Sequence, residues 1–463
     1  MDIMIDSQEH QIKATNFDST ARTKTVKFHV SLTFVYRALA IGLSLVLVPL
    51  TIDYLGIEQF GIWMVILSVM TWVTFFDVGL GHGLRNKLVE ALAANNIILA
   101  RKYVSTACLA ISLIAFMFFA ILSLTVPFAP WDKIFNTTAV SNSELAKVVF
   151  VIGIFILLNF ILLLSNQIFF AYQKASFAAL QPVLLNFFVL IAIVVLTHNS
   201  PGSLFYLALS YGLSMTVSNL LLLSYLFKKH SEIMPSVKYI DLSKIKDITS
   251  LGVKFFIIQM AALVIFATDN MIITQVLGPE HVTPYAVVFK LFSIITIGHT
   301  ILVTPLWSAY TDAYAKGDFK WIRSVLKKLN LLMIPIIIVT LLLVLFARYI
   351  ISIWVGPEIE ISYPLIIFMG IFVVVSVWSN NYAYFVNGIG KVKPQLYSAI
   401  LAALINIPLS VYFAKYLGMG LSGVILGTIA SLFLFAIIGP IQTYLILKPN
   451  NLTNESKNDD QQN

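Results

Sequence analysis

Twelve apolar stretches, each long enough as a helix to cross the roughly 30 Å hydrocarbon core of a bilayer, run through this chain. They lie near 28–52, 58–80, 103–128, 145–171, 175–197 and 202–227, then near 250–276, 284–310, 326–350, 361–386, 394–416 and 420–446. Hydrophobic residues make up 59% of the chain and charged residues 11%. Soluble domains carry about a quarter charged residues, so a soluble globular fold is excluded.

The second six stretches repeat the first. Leu55-Gly56-Ile57-Glu58, followed by Trp63 and Val65, returns 222 residues later as Leu277-Gly278-Pro279-Glu280, followed by Tyr285 and Val287. The same offset pairs Thr74 with Thr296, Leu80 with Leu302, Leu84 with Leu306, Glu90-Ala91 with Asp312-Ala313, Ala93 with Ala315 and Arg101 with Arg323. Several of these matches fall in polar connections, where hydrophobic composition does not force identity. Duplicated multi-span units build secondary transporters, in which two bundles rock about a central site. The expected fold is therefore an all-α integral membrane protein with twelve transmembrane helices in two pseudo-symmetric six-helix bundles around a central cavity.

Lysine and arginine set the orientation, because these residues stay on the cytoplasmic side. Only Lys133, Lys147, Arg348 and Lys415 fall in the odd-numbered connections, whereas the N-terminus, the even-numbered connections and the tail hold most of the 30. Both termini are expected in the cytoplasm, and the +8 net charge is a topology signal, with no nucleic-acid surface implied. The chain divides into a cytoplasmic segment 1–27, an N-lobe 28–228, a cytoplasmic linker 229–249, a C-lobe 250–447 and a disordered cytoplasmic tail 448–463. The first span follows 27 mostly polar residues and exceeds a signal-peptide core, so it is expected to be retained. The single cysteine, Cys108, excludes an intrachain disulfide framework and a cysteine zinc cluster.

Charges inside the hydrocarbon are few, and each costs about 2.5–3.5 kcal/mol at a helix centre unless it meets a partner or a wet cavity. Arg37 lies in the first span, Asp269 in the seventh and Lys290 in the eighth, with Asp77 and Lys254 nearer the cytoplasmic ends. Thr33, Arg37, Ala40 and Ser44 share one helical face, as do Lys290, Ser293, Thr300 and Thr304; the seventh span adds Gln259 and Asn270. Arg37, Lys290, Gln259 and Asn270 are the candidate substrate-binding residues, with the cations suited to an anionic substrate. Arg37 has no acidic residue elsewhere in its helix. Asp269 and Lys290 share a depth, and either neutralise each other or act on substrate and coupling ion. Lys254 is placed to extend toward the headgroups.

After the second span the chain reads Phe76-Asp77-Val78-Gly79-Leu80-Gly81-His82-Gly83-Leu84-Arg85-Asn86-Lys87. Its alternating glycines serve either tight helix packing or the approach of backbone N–H groups to a phosphate. This segment, with YLGIEQFGIWMVI at 54–66, resembles the matching region of Wzx-type polysaccharide flippases of the multidrug/oligosaccharidyl-lipid/polysaccharide exporter superfamily. The resemblance implies movement of an undecaprenyl-pyrophosphate-linked oligosaccharide, for O-antigen or a related surface polysaccharide, between leaflets of the bacterial inner membrane. It also implies membrane lipids, a polysaccharide polymerase and chain-length machinery as partners, and an acidic gating residue at Asp77. Arg85 is the cation beside that gate. No cofactor or metal is expected; proton or sodium coupling would fall to Asp269.

Three other functions compete. A cation-coupled multidrug exporter shares the scaffold, but ordinarily uses buried carboxylates where the first span here supplies Arg37. A membrane glycosyltransferase or polymerase needs a catalytic assembly, and the longest outside connection, near 129–144, holds Asp132, Lys133 and Glu144 without an acid–base constellation. A peptidoglycan-precursor flippase resembles a fourteen-span design. The chain has no phosphate loop beyond the partial echo Gly388-Ile389-Gly390-Lys391, so ATP hydrolysis is not expected. Trp307, Tyr310, Tyr382 and Tyr384 are either interface anchors or sugar-stacking residues of the cavity.

Overall fold

A computed structural model describes residues 31–74, 80–249 and 253–448, and no strand occurs among them. Asp77, the segment 1–27 and the tail from 449 lie outside the described residues, as does the side chain of Lys254. The first half holds α1 (Ser31–Leu55), α2 (Ile57–Thr74), α3 (Leu80–Ala93), α4 (Ile97–Thr125), α5 (Asn142–Leu162), α6 (Leu164–Ala171), α7 (Ala175–Asn199) and α8 (Leu204–Lys229). A linker with one short helix, α9 (Lys244–Thr249), follows. The second half holds α10 (Val253–Ala267), α11 (Asp269–Val276), α12 (Val282–Val303), α13 (Leu306–Ala315), α14 (Phe319–Val355), α15 (Tyr363–Gly388), α16 (Lys393–Val411) and α17 (Leu421–Leu447).

Eleven helical segments among the described residues are long and apolar enough to cross a membrane, and Ile57–Val69 is a shorter apolar helix at the second expected position. Together they account for twelve crossings, six to a half. The seventh expected span is two helices meeting at Thr268, and the eighth ends at Val303 before α13 begins beyond Pro305. Proline cannot donate to the preceding turn, which accounts for the second break.

The duplication is visible in backbone geometry as well as in residue identity. Gly56 and Gly278, at the repeat offset, both turn the chain with positive φ, +76° and +110°. Asn95 and Gly317, also at that offset, both sit in the left-handed region, with φ 53° and 71°. The next residues cap the following helix: Asn96 accepts from the Leu99 amide at 3.0 Å and Asp318 from the Trp321 amide at 3.0 Å.

Each half is tied internally by polar groups that hydrocarbon cannot satisfy. In the N-lobe Asn159 of α5 donates to Thr216 at 2.8 Å and accepts from Asn219 at 2.7 Å, joining α5 to α8. In the C-lobe α16 and the helical turn after it, Tyr412–Tyr416, press so closely on α17 that a Cβ at Gly423 would lie 2.5 Å from the Ala414 amide, and one at Gly427 2.3 Å from the Ser410 hydroxyl. Leu124, Phe128, Leu345 and Phe346 remain exposed on α4, its following turn and α14, a surface that suits acyl chains.

The halves meet mainly through α2, which packs on α10, α11, the turn 279–281 and α12. Thr283 donates to the Ile57 carbonyl at 2.6 Å, and Asn136 to the Thr274 carbonyl at 2.9 Å. Gln275 donates to the Ile134 carbonyl at 2.6 Å, and Trp354 to the Leu45 carbonyl at 2.9 Å. All four ties lie at the end opposite the linker. The connection 129–144 is thus a clasp between the halves.

Candidate functional site

At the linker end the halves separate around a cavity of about 920 Å³. Its wall is built chiefly from the N-lobe: Thr33, Phe34 and Arg37 of α1, Gly81 and Arg85 of α3, Asn166, Gln167 and Phe170 of α6, and Pro182 of α7. The C-lobe contributes Ile301, Thr304 and Pro305, where α12 gives way to α13. No carboxylate lines it among the described residues.

Arg37 is half-buried on this wall and has no ion-pair partner among the described residues. Helical periodicity puts Thr33 one turn away on the same face, as the sequence spacing predicts. Ala40, next on that face, is buried, and its carbonyl accepts from Asn186 of α7 at 2.9 Å. That contact holds α1 against α7 and fixes where Arg37 projects. Arg85 supplies a second cation, its guanidinium 5.0 Å from the Phe170 ring centre.

Asn166 and Gln167 also face this space, and the side-chain oxygens of both are buried without a hydrogen-bond partner. A buried amide left unpaired is costly, so such groups mark places where a polar ligand or water completes them. Sequence reasoning missed both. The available signal was a Ser-Asn-Gln run, 165–167, interrupting an otherwise apolar stretch.

The other expected residues are not gathered here. Lys290 and Gln259 are half-buried in the C-lobe and do not line the cavity. Asn270 donates to the Ser68 hydroxyl of α2 at 2.7 Å, tying the halves together above the cavity. Asp269 forms no ion pair with Lys290 among the described residues. It is 5% exposed and takes hydrogen bonds from the hydroxyls of Tyr285 and Thr428, the latter at 3.0 Å. Asn406 donates to Thr428 at 3.3 Å, so a polar cluster from α11, α12, α16 and α17 surrounds a carboxylate that has no ion pair among the described residues.

Of the glycines after the second span, Gly81 lines the cavity, whereas a Cβ at Gly83 would sit 1.7 Å from the Ile248 carbonyl. Gly83 is therefore a packing glycine that admits α9 against α3. The aromatic candidates divide similarly. Tyr310 is fully buried against Phe385 and Trp321, and Tyr382 donates to Asn330 at 3.2 Å, so both are internal to the C-lobe. Trp307 and Tyr384 pack edge to face at 5.9 Å, and Tyr384 lies 3.4 Å from the Thr304 hydroxyl on the cavity wall.

The family described as "Polysaccharide biosynthesis protein" matches residues 29–310, more than half of the chain, and the MatE family matches 255–412. A putative O-antigen transporter of Salmonella typhimurium is 26% identical over 418 residues, covering 88% of this chain and 93% of that protein. A putative O-antigen export protein of Yersinia pseudotuberculosis is 25% identical over 403 residues, covering 85% and 90%. Among solved structures, an inward-facing multidrug resistance transporter of the MATE family and MOP superfamily superposes with a TM-score of 0.71 at 16% identity, covering 93% of this chain and 99% of that one.

Proposed function

The chain belongs to the polysaccharide biosynthesis protein family, and on that premise we propose that it carries an undecaprenyl-pyrophosphate-linked oligosaccharide from the cytoplasmic to the outer leaflet of the bacterial inner membrane. It is a multi-pass membrane transporter, and the O-antigen relatives support a polysaccharide cargo. The observation that carries the reading is the cavity wall, which among the described residues offers two guanidinium groups and two amides without an opposing carboxylate. Arg37 and Arg85 suit pyrophosphate oxygens, because a guanidinium fork matches phosphate geometry. Asn166 and Gln167 suit sugar hydroxyls, which both donate and accept.

With the linker end in the cytoplasm, the cavity opens inward and the α2 contacts close the outer side. Sugars and pyrophosphate enter the cavity while the polyprenyl chain stays in lipid. The clasp at 283, 275 and 136 then parts as the linker end closes, giving alternating access. Asp269 supplies the coupling: a carboxylate buried between helices, whose side-chain partners among the described residues are the hydroxyls of Tyr285 and Thr428, is placed to bind a proton or sodium ion. That same carboxylate favours a second reading, a cation-coupled multidrug exporter.

Deleting the coding sequence and detecting lipid-linked oligosaccharide on each leaflet separates the two. Accumulation on the cytoplasmic face is the expected result. Unchanged glycan export together with lost dye efflux would transfer the assignment to drug transport.

A further inference from the structure

A second cavity, of about 590 Å³, opens at the linker end of the C-lobe between α14 and α17. It shares no residue with the cavity between the halves. Arg323, Lys327 and Lys448 line it, with Asn330, Tyr382 and Thr443 as polar neighbours, and no carboxylate lines it among the described residues. Thr443 is 4% exposed and its hydroxyl makes no hydrogen bond, although a helical threonine ordinarily returns its hydroxyl to the preceding turn. The mouth carries Leu331 and Tyr444, 55% and 68% exposed on membrane-length helices.

The duplicated half shows what such a surface requires. Arg101 and Ser105 of α4 stand at the repeat offset from Arg323 and Lys327 of α14. In the N-lobe the linker covers them. Arg101 donates to the Met234 carbonyl at 2.8 Å and packs 4.3 Å from the Tyr239 ring centre, while Ser105 accepts from the Ser236 amide at 3.1 Å. Next to Arg101, Lys102 pairs with Asp241 at 3.1 Å, so the covering segment brings its own carboxylate. In the C-lobe Arg323 still donates to a backbone carbonyl, that of Leu447, but Lys327 and Lys448 have no ion pair among the described residues and face open space.

We propose that this C-lobe groove holds the phosphodiester headgroup of an anionic membrane lipid. The phosphate bridges Lys327 and Lys448, and Thr443 donates to it. The acyl chains lie along Leu331 and Tyr444. A site of this kind, basic, between helices and at the cytoplasmic headgroup level, suits lipid phosphate by charge and by depth. It is independent of the transported substrate.

Native mass spectrometry of the full chain, titrated with phosphatidylglycerol or with zwitterionic phosphatidylcholine, tests the site. Phosphatidylglycerol should be retained and phosphatidylcholine should not. The double substitution Lys327→Gln with Lys448→Gln removes two exposed charges without touching the core, and should weaken retention about tenfold or more. Thr443→Val should weaken it by a smaller factor. Equal retention in the wild type and the double variant would overturn the proposal. So would competition by millimolar inorganic phosphate, which would assign the groove to a free anion. A gain in retention on removing residues 449–463 would also overturn it, by making the chain's own tail the occupant.

Discussion

Asn96 and Asp318 perform the same task in the two halves: each accepts a hydrogen bond from the amide three residues on, at 3.0 Å, and starts a long membrane helix. The preceding residue in both cases lies in the left-handed region. A duplicated turn and cap of this kind makes the two lobes start α4 and α14 in the same way, which a chance likeness between apolar spans would not do.

Replacing either cap by alanine should therefore cost a similar amount, about 1 kcal/mol, because one orphan amide of the first turn loses its acceptor. Thermal unfolding of the purified protein in detergent checks this. A much larger loss at one site than at the other would show that the halves do not use their caps equivalently.

Gly61 of α2 has no room for a side chain: a Cβ there would lie 1.9 Å from the Pro279 carbonyl. Gly61→Val should prevent the clasp from closing and hold the protein open on the side opposite the linker. Pairs of spin labels across the two ends report the change directly. Distances unchanged from the wild type would contradict the assignment of α2 as the closing surface.

Asp269 is expected to be needed for coupling and Tyr285 for its placement. Asp269→Asn should abolish gradient-driven accumulation while the protein still inserts, and Tyr285→Phe should lower stability by about 1–3 kcal/mol by leaving a buried oxygen short of a donor. Transport driven equally well by a proton or sodium gradient in Asp269→Asn would remove the residue from coupling.

The start of the linker should respond to pH. His230 accepts or donates at 3.0 Å with Lys174, stacks on Tyr172, and lies 3.2 Å from Glu232. Burial, opposed by Glu232 and reinforced by Lys174 and Lys229, holds its pKa below the ordinary 6.5. The folded state therefore binds protons less readily than the unfolded one. Stability from this group is present above pH 6.5 and falls as pH drops below it. Amide protection at 230–241, taken relative to the exchange rate of an unstructured chain at each pH, should fall between pH 7.5 and pH 5.5, values about one unit either side of the ordinary histidine pKa, and His230→Gln should flatten the response.

The sequence made the membrane class, the duplication and Arg37 legible because each rests on a local property: span length, a fixed offset, or a charge deep in an apolar span; the acid that α1 does hold, Asp53, lies near its far end. What it did not reveal depends on partners distant in the chain. Asp269 and Lys290 share a depth, which invited an ion pair, but Asp269 turns to Tyr285 and Thr428, and Thr428 comes from 159 residues away. Asn270, expected at substrate, donates to Ser68 of the other half, a partner the sequence could not supply. Asn166 and Gln167 looked like minor interruptions of an apolar run until α1 and α3 were seen to enclose the space in front of them. The site is also lopsided toward the N-lobe, which no symmetric reading of the two halves anticipates.

The most direct measurement is leaflet-resolved translocation of an undecaprenyl-pyrophosphate-linked oligosaccharide in proteoliposomes containing the wild type, Arg37→Lys or Arg37→Ala. The wild type should move the substrate, Arg37→Lys should retain part of the rate because charge survives without the fork, and Arg37→Ala should fall to the level of protein-free liposomes. Full translocation by Arg37→Ala at equal reconstitution would contradict a cation-lined cavity as the path of the pyrophosphate.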